Sequence, residues 1–391
     1  MRYQRLWILL GSLLRRNIQI INGRRLSSAA SVSTLRKVIV STSDDIFTNL
    51  ALEEWIYEHD DLRNQSLLLM WQNKPAVVIG RHQNPWLECD VNQILRKDVH
   101  LARRKSGGGT VYHDLGNLNL SFLMDRSLYD RKKNLELVMK AITQKWDVDL
   151  HVNERDDILL ESFYKVSGTA SKLGRDKTYH HFTLLHDVNK ENVFKFLDSK
   201  HATVGVHSRA TQSLRARIKN LCEADPDIQF DSLVQAIGKY YIKENNSKGS
   251  IQWIIPSEEL FPGLLKLKHD LEQWEWVYGR TPKFSLTRNF TYNDYGEHLV
   301  LKLNIEIDKG LIMDIGIDVS GLSQEEQVIT EFISKFKEIL IGRRLWTADI
   351  LELIDNFTRD FKKTDTDLNT YYPWYEIIQW ISSCLKKTLH L

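Results

Sequence analysis

One stretch of this 391-residue chain concentrates the groups that could do chemistry. Residues 103–114 read Arg-Arg-Lys-Ser-Gly-Gly-Gly-Thr-Val-Tyr-His-Asp. Three consecutive glycines are costly to order, because glycine loses more backbone entropy on folding than any other residue. Such a run belongs where backbone approaches another group closely or adopts positive φ. With three cations ahead of it, the composition points to an anion or a polar carbonyl held against backbone N–H groups. A plain tight turn is the bland alternative. No Gly-Lys-Ser/Thr follows at P-loop spacing and the glycines do not fit G-x-G-x-x-G, so neither familiar phosphate signature applies.

Other residues invite weighing. Lys165 lies between Tyr164 and Val166, ahead of the small polar segment Ser167-Gly168-Thr169-Ala170-Ser171. It reads either as a surface lysine on an alternating strand or as a fixed cation for a developing oxyanion or phosphate. His113-Asp114 offers the types of a general base and its orienter, yet neighbours on extended chain point to opposite faces. The same divergence weakens His180-His181 as a metal fragment; no carboxylate lies at ligand spacing, and no metal is expected. Cys89 could carry an acyl group, but a lone free cysteine more often serves as a small buried hydrophobe.

These residues need elements to position them. Ser43-Asp44-Asp45 supplies an N-cap, and Phe47, Leu50, Ala51 and Trp55 follow at helical spacing, which predicts a helix ending near His59. Residues 67–71 and 76–79 read as buried strands. The second exits into Gly80-Arg81-His82-Gln83-Asn84-Pro85-Trp86, whose turn chemistry ends it. A short strand over 99–102 leads into the glycine loop. Leu118, Leu120 and Phe122 then alternate with Asn119 and Ser121, as in a half-buried strand. Leu135, Val138, Met139, Ile142 and Trp146 mark a helix. Strands are expected at 148–152, 158–160, 164–166 and 179–185, with 167–171 as a ligand-facing loop and 206–211 as a polar turn. A helix over 232–242 and a strand over 251–255 follow. Past residue 280, alternating runs at 299–307 and 311–319 flank Asp308-Lys309-Gly310, a hairpin signal. Helices near 323–341, 347–358 and 374–387 complete a small α+β unit.

Composition bounds the function. Apolar residues make up 42% and charged residues 27% of the chain, ordinary for a globular protein with sizeable cores. Eleven tryptophans argue for packed architecture or a ligand-lined cleft. The length implies two or three domains: a leader over 1–26, a main domain over 27–270 and a smaller one over 271–391. Cys89, Cys222 and Cys384 are dispersed and odd in number, which suits a reducing compartment. Residues 1–43 hold no acid. Subtracting the six arginines of residues 1–26 from the net charge of +2 leaves −4, and a mildly acidic body argues against a nucleic-acid binder. The Arg- and Ser-rich, acid-free start has the marks of a mitochondrial transit peptide. Its apolar run over 6–14 is too short to span a bilayer, which needs about 20 residues, so no membrane insertion is expected. A secretory signal peptide is the rival; recurrent arginines and unpaired cysteines favour the mitochondrion.

Four stretches in register carry a resemblance: 78–86, 103–117, 165–172 (Lys-Val-Ser-Gly-Thr-Ala-Ser-Lys) and 179–185 (Tyr-His-His-Phe-Thr-Leu-Leu), with Trp-Glu-Trp at 274–276 at the entry to the last domain. Together they resemble the lipoate–protein ligase A and lipoyltransferase family from about residue 38 to the end. The resemblance implies a biotin/lipoyl-ligase-type α/β fold with a smaller α+β C-terminal domain. It implies an acyltransferase that places lipoyl groups on a lysine of lipoyl domains of 2-oxoacid dehydrogenase E2 subunits, with the glycine-cleavage H protein as a further partner. It makes Lys165 the catalytic residue, touching the carbonyl and phosphate of lipoyl-AMP. Arg103, Gly108, Gly109, Thr110, Val111 and Tyr112 match ligand-lining positions, as do Arg155, Thr183 and Thr211. No tightly bound cofactor is implied. Residues 169–178 follow the pattern of the family's animal transferases, which take lipoyl from lipoyl-H protein or lipoyl-AMP in the mitochondrial matrix; a complete ATP- and Mg-dependent ligase is the alternative.

Overall fold

The computed structural model describes residues 35–198, 205–244, 249–294, 297–321, 327–364 and 372–389; the expected leader over 1–26 lies outside them. The main sheet holds β1 (Leu35–Ser41), β2 (Gln65–Trp71), β6 (Asn117–Asp125), β10 (Ser167–Leu173), β11 (Lys177–Leu185) and β13 (Ile251–Ile254), in the order β10-β11-β6-β2-β1-β13. Beside it, β3 (Ala76–Ile79) runs between β4 (His100–Arg103) and β5 (Val111–His113). A third small sheet joins β7 (Leu150–Val152), β8 (Ile158–Leu160) and β9 (Tyr164–Lys165). The last sheet orders β12 (Val206–Ser208), β14 (Phe284–Asp294), β15 (Glu297–Asp308) and β16 (Leu311–Ser320).

β2 is a near-continuous apolar run because both of its faces are covered. Leu68 and Met70 enter a core with Leu118, Leu120 and Phe122 and the helices Arg131–Thr143 and Phe230–Glu244. Leu67, Leu69 and Trp71 enter another beneath the helix Ile46–His59. Leu68 and Leu69 are wholly buried, each contributing about 1.5–3 kcal/mol. Asp45 caps that helix as its sequence predicts, accepting from the Thr48 N–H at 2.9 Å.

Two strands depart from their sequence reading. β6 is not half-exposed: Asn119 and Ser121 are buried. Their face lies opposite Trp71 and Leu69 under the helix Ile46–His59, so polar alternation there marks an internal cavity and not solvent. The small segment 167–171 is not a loop but most of β10, paired along its length with β11. The backbone ladder overrides weak strand propensity, and the short side chains leave space above the sheet.

The hairpin forms where Asp308-Lys309-Gly310 predicts it. Lys309 (φ 51°) and Gly310 (φ 72°) give the positive φ that a primed turn requires. Leu299, Leu301, Leu303, Ile305 and Ile307 alternate into a core covered by the helices Gln327–Leu340, Thr347–Thr364 and Tyr372–Leu389. This core is continuous with Val77, Ile79 and Trp86. β12, in the segment read as a turn, pairs antiparallel with β14 through Val206 and Leu286. A single cut near residue 270 therefore does not part the two layers. Among the described residues no helix is long and apolar enough to cross a membrane.

Candidate active site

The glycine loop is shaped by a buried cation. Arg104 donates from Nη2 to the Gly107 and Gly109 carbonyls at 2.7 and 2.6 Å, from Nη1 to the Val78 carbonyl at 3.0 Å and from Nε to Ser106 Oγ at 3.0 Å. The cation that composition set against an anion thus holds loop carbonyls. Burial depresses its pKa to about 10, so it remains charged at neutral pH. Gly108 has φ 84°, and a Cβ there would meet Arg104 Nη2 at 3.0 Å. Gly80 abuts the loop so closely that a Cβ on it would sit 2.2 Å from the Gly108 carbonyl oxygen. Close approach explains Gly80 and positive φ explains Gly108, whereas Gly107 has open space around it.

The loop forms one wall of a cavity of about 400 Å³. Leu50, Trp71, Val78, Val111 and Phe182 give it an apolar side, drawn from the helix Ile46–His59 and the sheets. Arg104, Arg131, Arg155, Lys165 and Arg215 give it five cations against one carboxylate, Asp157. Such a chamber suits an elongated apolar group joined to an anion. Gly108, Gly109, Thr110, Val111, Arg155, Lys165, Thr183 and Thr211 all line it. Chain segments more than fifty residues apart in sequence are thereby brought together.

Lys165 ends β9, and its Nζ lies 2.6 Å from Asp157 Oδ1. The ion pair fixes the ammonium without withdrawing it, since the lysine side chain keeps 26% exposure. Residues 211–216 line the cavity from a strand-free strap. Arg217 O accepts from the Lys165 N–H at 2.9 Å at one end. At the other, buried Glu88 accepts from the Ser213 hydroxyl and backbone N–H, and Gln83 Nε2 donates to Ser213 Oγ at 3.0 Å. The Thr110 N–H donates to that same Oγ at 2.8 Å, which ties strap to glycine loop. Thr183 Oγ1 accepts from the Gly168 N–H at 2.9 Å.

Two of the expected contacts lie elsewhere. Arg103 is fully buried away from the cavity and donates to the carbonyls of Gly80, Arg81, Gln83, Trp276 and Val277 and to Thr281 Oγ1. It joins the β3 exit to the start of the C-terminal layer; burial depresses its pKa to about 9. Tyr112 points to the opposite face of β5 from Val111, stacks on Phe196 at 5.9 Å between ring centroids and receives a bond from Asn192. Period-2 alternation forbids Val111 and Tyr112 from sharing one chamber.

The bland readings hold for the remaining candidates. Asp114 accepts from the Gly116 and Asn189 N–H groups and not from His113. Cys89 is buried, its thiol donating to the Pro85 carbonyl and its pKa pushed up by desolvation. His180 bonds Thr169 and Asn134. His181 has a role that adjacency concealed. Its Nδ1 lies 2.8 Å from Glu53 Oε1 and its Nε2 2.7 Å from Ser106 Oγ, the hydroxyl that also accepts from Arg104. This buried Glu53–His181–Ser106–Arg104 relay braces the glycine loop, and both His181 and Arg104 line the cavity. His113 also lines it, on the Val111 side of β5; burial, with Arg104 and His181 nearby, lowers its pKa to about 3, so it is neutral. Glu53, Glu88 and Ser213 gave no signal in spacing, because their partners lie 22–130 residues away.

Comparison with known proteins places this geometry. The model for the lipoyl protein ligase A/B catalytic domain matches residues 45–242. Human mitochondrial lipoyl amidotransferase LIPT1 is 39% identical over 324 residues, covering 82% of this chain and 85% of the human one. The chain belongs to the lipoyl protein ligase family. Within that family, the lipoate-protein ligase A of Psychrobacter cryohalolentis is 30% identical, over 86% of this chain and 97% of its own. The crystal structure of Plasmodium falciparum LipL1 in complex with lipoate superposes with a TM-score of 0.55 at 27% identity, covering 89% of this chain and 99% of that one. The lipoyl-ligase-type α/β fold is therefore the observed one, and the chain is a lipoyltransferase acting in protein lipoylation. The higher identity to the amidotransferase than to the bacterial ligase favours transfer over complete ligation.

Proposed function

We propose that the cavity holds a lipoyl group, delivered as lipoyl-AMP or by the lipoylated H protein, and that Lys165 stabilises the transfer of its acyl carbon to a lysine of an E2 lipoyl domain. The observation that carries this reading is the pairing of an apolar wall with five cations, Lys165 among them. The apolar side accommodates the lipoyl chain; the cations complement the phosphate of an adenylate. The acceptor amine, whose pKa is near 10.4 in water, enters deprotonated. Its nitrogen bonds the carbonyl carbon and the carbonyl oxygen takes the charge. The acceptor nitrogen gives up a proton as the intermediate collapses: to solvent when the bond to the AMP oxygen breaks, or to the donor lysine's nitrogen, which then leaves as the amine. Lys165 Nζ, anchored by Asp157, donates to the oxyanion, an interaction worth about 3 kcal/mol in the transition state. Since the nucleophile arrives on the partner, the enzyme supplies no triad. Gly108, Gly109, Thr110, Val111, Arg155, Thr183 and Thr211 are the proposed adenylate contacts.

The acid-free, arginine-rich residues 1–43 and the mitochondrial relatives support import to the matrix, with residues 1–26 as the targeting segment. Mass spectrometry of an apo lipoyl domain tests the donor. The domain is incubated with the enzyme and lipoyl-AMP, lipoyl-H protein, or lipoate plus ATP. The expected result is lipoylation in the first two arms; modification with lipoate and ATP alone would instead establish a ligase.

A further inference from the structure

A cavity of about 400 Å³ takes an acyl group but not a folded acceptor, so the body of the acceptor rests on the cavity mouth while its lysine reaches in. The mouth on the Lys165 side is formed by exposed residues of unusual type. Leu214 on the strap is 81% exposed, and Phe163, two residues before Lys165, is 52% exposed. The Arg217 guanidinium sits 5.0 Å from the Phe163 ring centroid. Arg217 is itself exposed, and its backbone carbonyl holds the Lys165 N–H. Arg155 and Arg215 line the cavity itself; Arg215 pairs with Asp198 at 3.1 Å and keeps 77% side-chain exposure. An aromatic, an arginine stacked on it and an exposed leucine are the types that anchor protein interfaces.

We propose that Phe163, Arg217 and Leu214 form the docking patch for the acceptor protein, and that the surface they recognise is an acidic one flanking the target lysine. The inference rests on the lipoyl-transfer reading of the same cavity. An acidic partner follows from Arg155 and Arg217, which make no ion pair among the described residues, whereas Arg215 is balanced by Asp198 and Lys219 by Glu161 at 2.6 Å. Phe163 and Arg217 do not line the cavity, so they act on the partner and not on the acyl group. Rim charges of this kind set encounter rate and salt dependence.

The test separates docking from chemistry by changing the nucleophile. Preformed lipoyl-AMP is offered to the full-chain enzyme with either an apo lipoyl domain or hydroxylamine, which needs no docking. Arg217→Glu and Phe163→Ser should raise KM for the domain about tenfold or more while hydroxamate formation stays within about twofold of wild type. Arg217→Lys should restore most of the loss, and added salt should slow wild type more than Arg217→Glu. Equal losses with both nucleophiles would overturn the proposal by placing these residues in the reaction site, and so would unchanged transfer to the domain. Wild-type enzyme inert toward both nucleophiles would refute the underlying lipoyl-transfer reading instead.

Discussion

Gly80 gives the most quantitative prediction. A methyl group on its α-carbon would lie 2.2 Å from the Gly108 carbonyl oxygen and 3.2 Å from the Gly107 carbonyl. Both obstacles are backbone, so no rotamer relieves the clash. Ordinary contact requires the Gly108 carbonyl to retreat by about 1 Å. Gly108 lines the cavity, and its loop is gripped by Arg104 through the carbonyls on either side of it. Overpacking of this order costs about 1–3 kcal/mol, or roughly 2–12 °C in Tm for a domain of this size. A shift of about 1 Å in a substrate-positioning wall can cost on the order of 100-fold in rate. Gly107→Ala is the control: nothing lies within 4 Å of its Cβ, and such a change commonly stabilises by about 0.4–1 kcal/mol through the unfolded chain. Thermal melts and transfer rates from lipoyl-AMP to an apo lipoyl domain are to be measured for both variants. Gly80→Ala should lose stability and rate together, whereas Gly107→Ala should keep its Tm or raise it slightly. A Gly80→Ala enzyme with wild-type Tm and rate would refute the close-approach account of the loop.

Three further outcomes follow. Arg103→Met removes six hydrogen bonds and leaves buried carbonyls unpaired, so Tm should fall by an amount matching about 3 kcal/mol or more; an unchanged melt would show the guanidinium to be dispensable. Glu53→Gln should slow transfer by roughly tenfold or more through the relay to the glycine loop, with Glu53→Asp milder; equal rates in all three enzymes would disconnect the relay from the loop. His113 and His180 have pKa values near 3 in the fold, mainly through burial, against about 6.5 unfolded. The unfolded chain takes up protons that the folded one refuses, so the stability they contribute is full above pH ~6.5 and is lost as pH falls toward ~3. Urea titrations over that range should show it, and His180→Asn should flatten the slope; a slope identical to wild type would exclude His180 as a source.

Local signals carried far in this chain. The Asp45 cap and the Asp308-Lys309-Gly310 turn were legible because each is decided by residues within four positions. The glycine loop and Lys165 were legible through their residue types and the family they resemble. What failed depended on the third dimension. Ser167–Ser171 lacks strand propensity yet pairs with β11, because a backbone ladder holds this edge strand beside the cavity whatever its side chains prefer. Tyr112 follows Val111 in the motif, but strand alternation sends it to the other face. Arg103 and Arg104 look alike in sequence; one braces the junction with the C-terminal layer and the other braces the glycine loop. The strap contacts at Glu88 and Ser213 join segments 125 residues apart, beyond any periodicity.

Lys165 bears the central claim. Single-turnover transfer from preformed lipoyl-AMP to an apo lipoyl domain, followed by intact mass, measures it directly, with a thermal melt on the same sample. Lys165 is partly exposed, and its ion pair among the described residues is with Asp157 at the cavity, so Lys165→Ala should melt close to wild type. Its rate should fall by about 100-fold or more, the loss of one oxyanion donor. A variant that folds normally and transfers lipoyl at the wild-type rate would contradict the account.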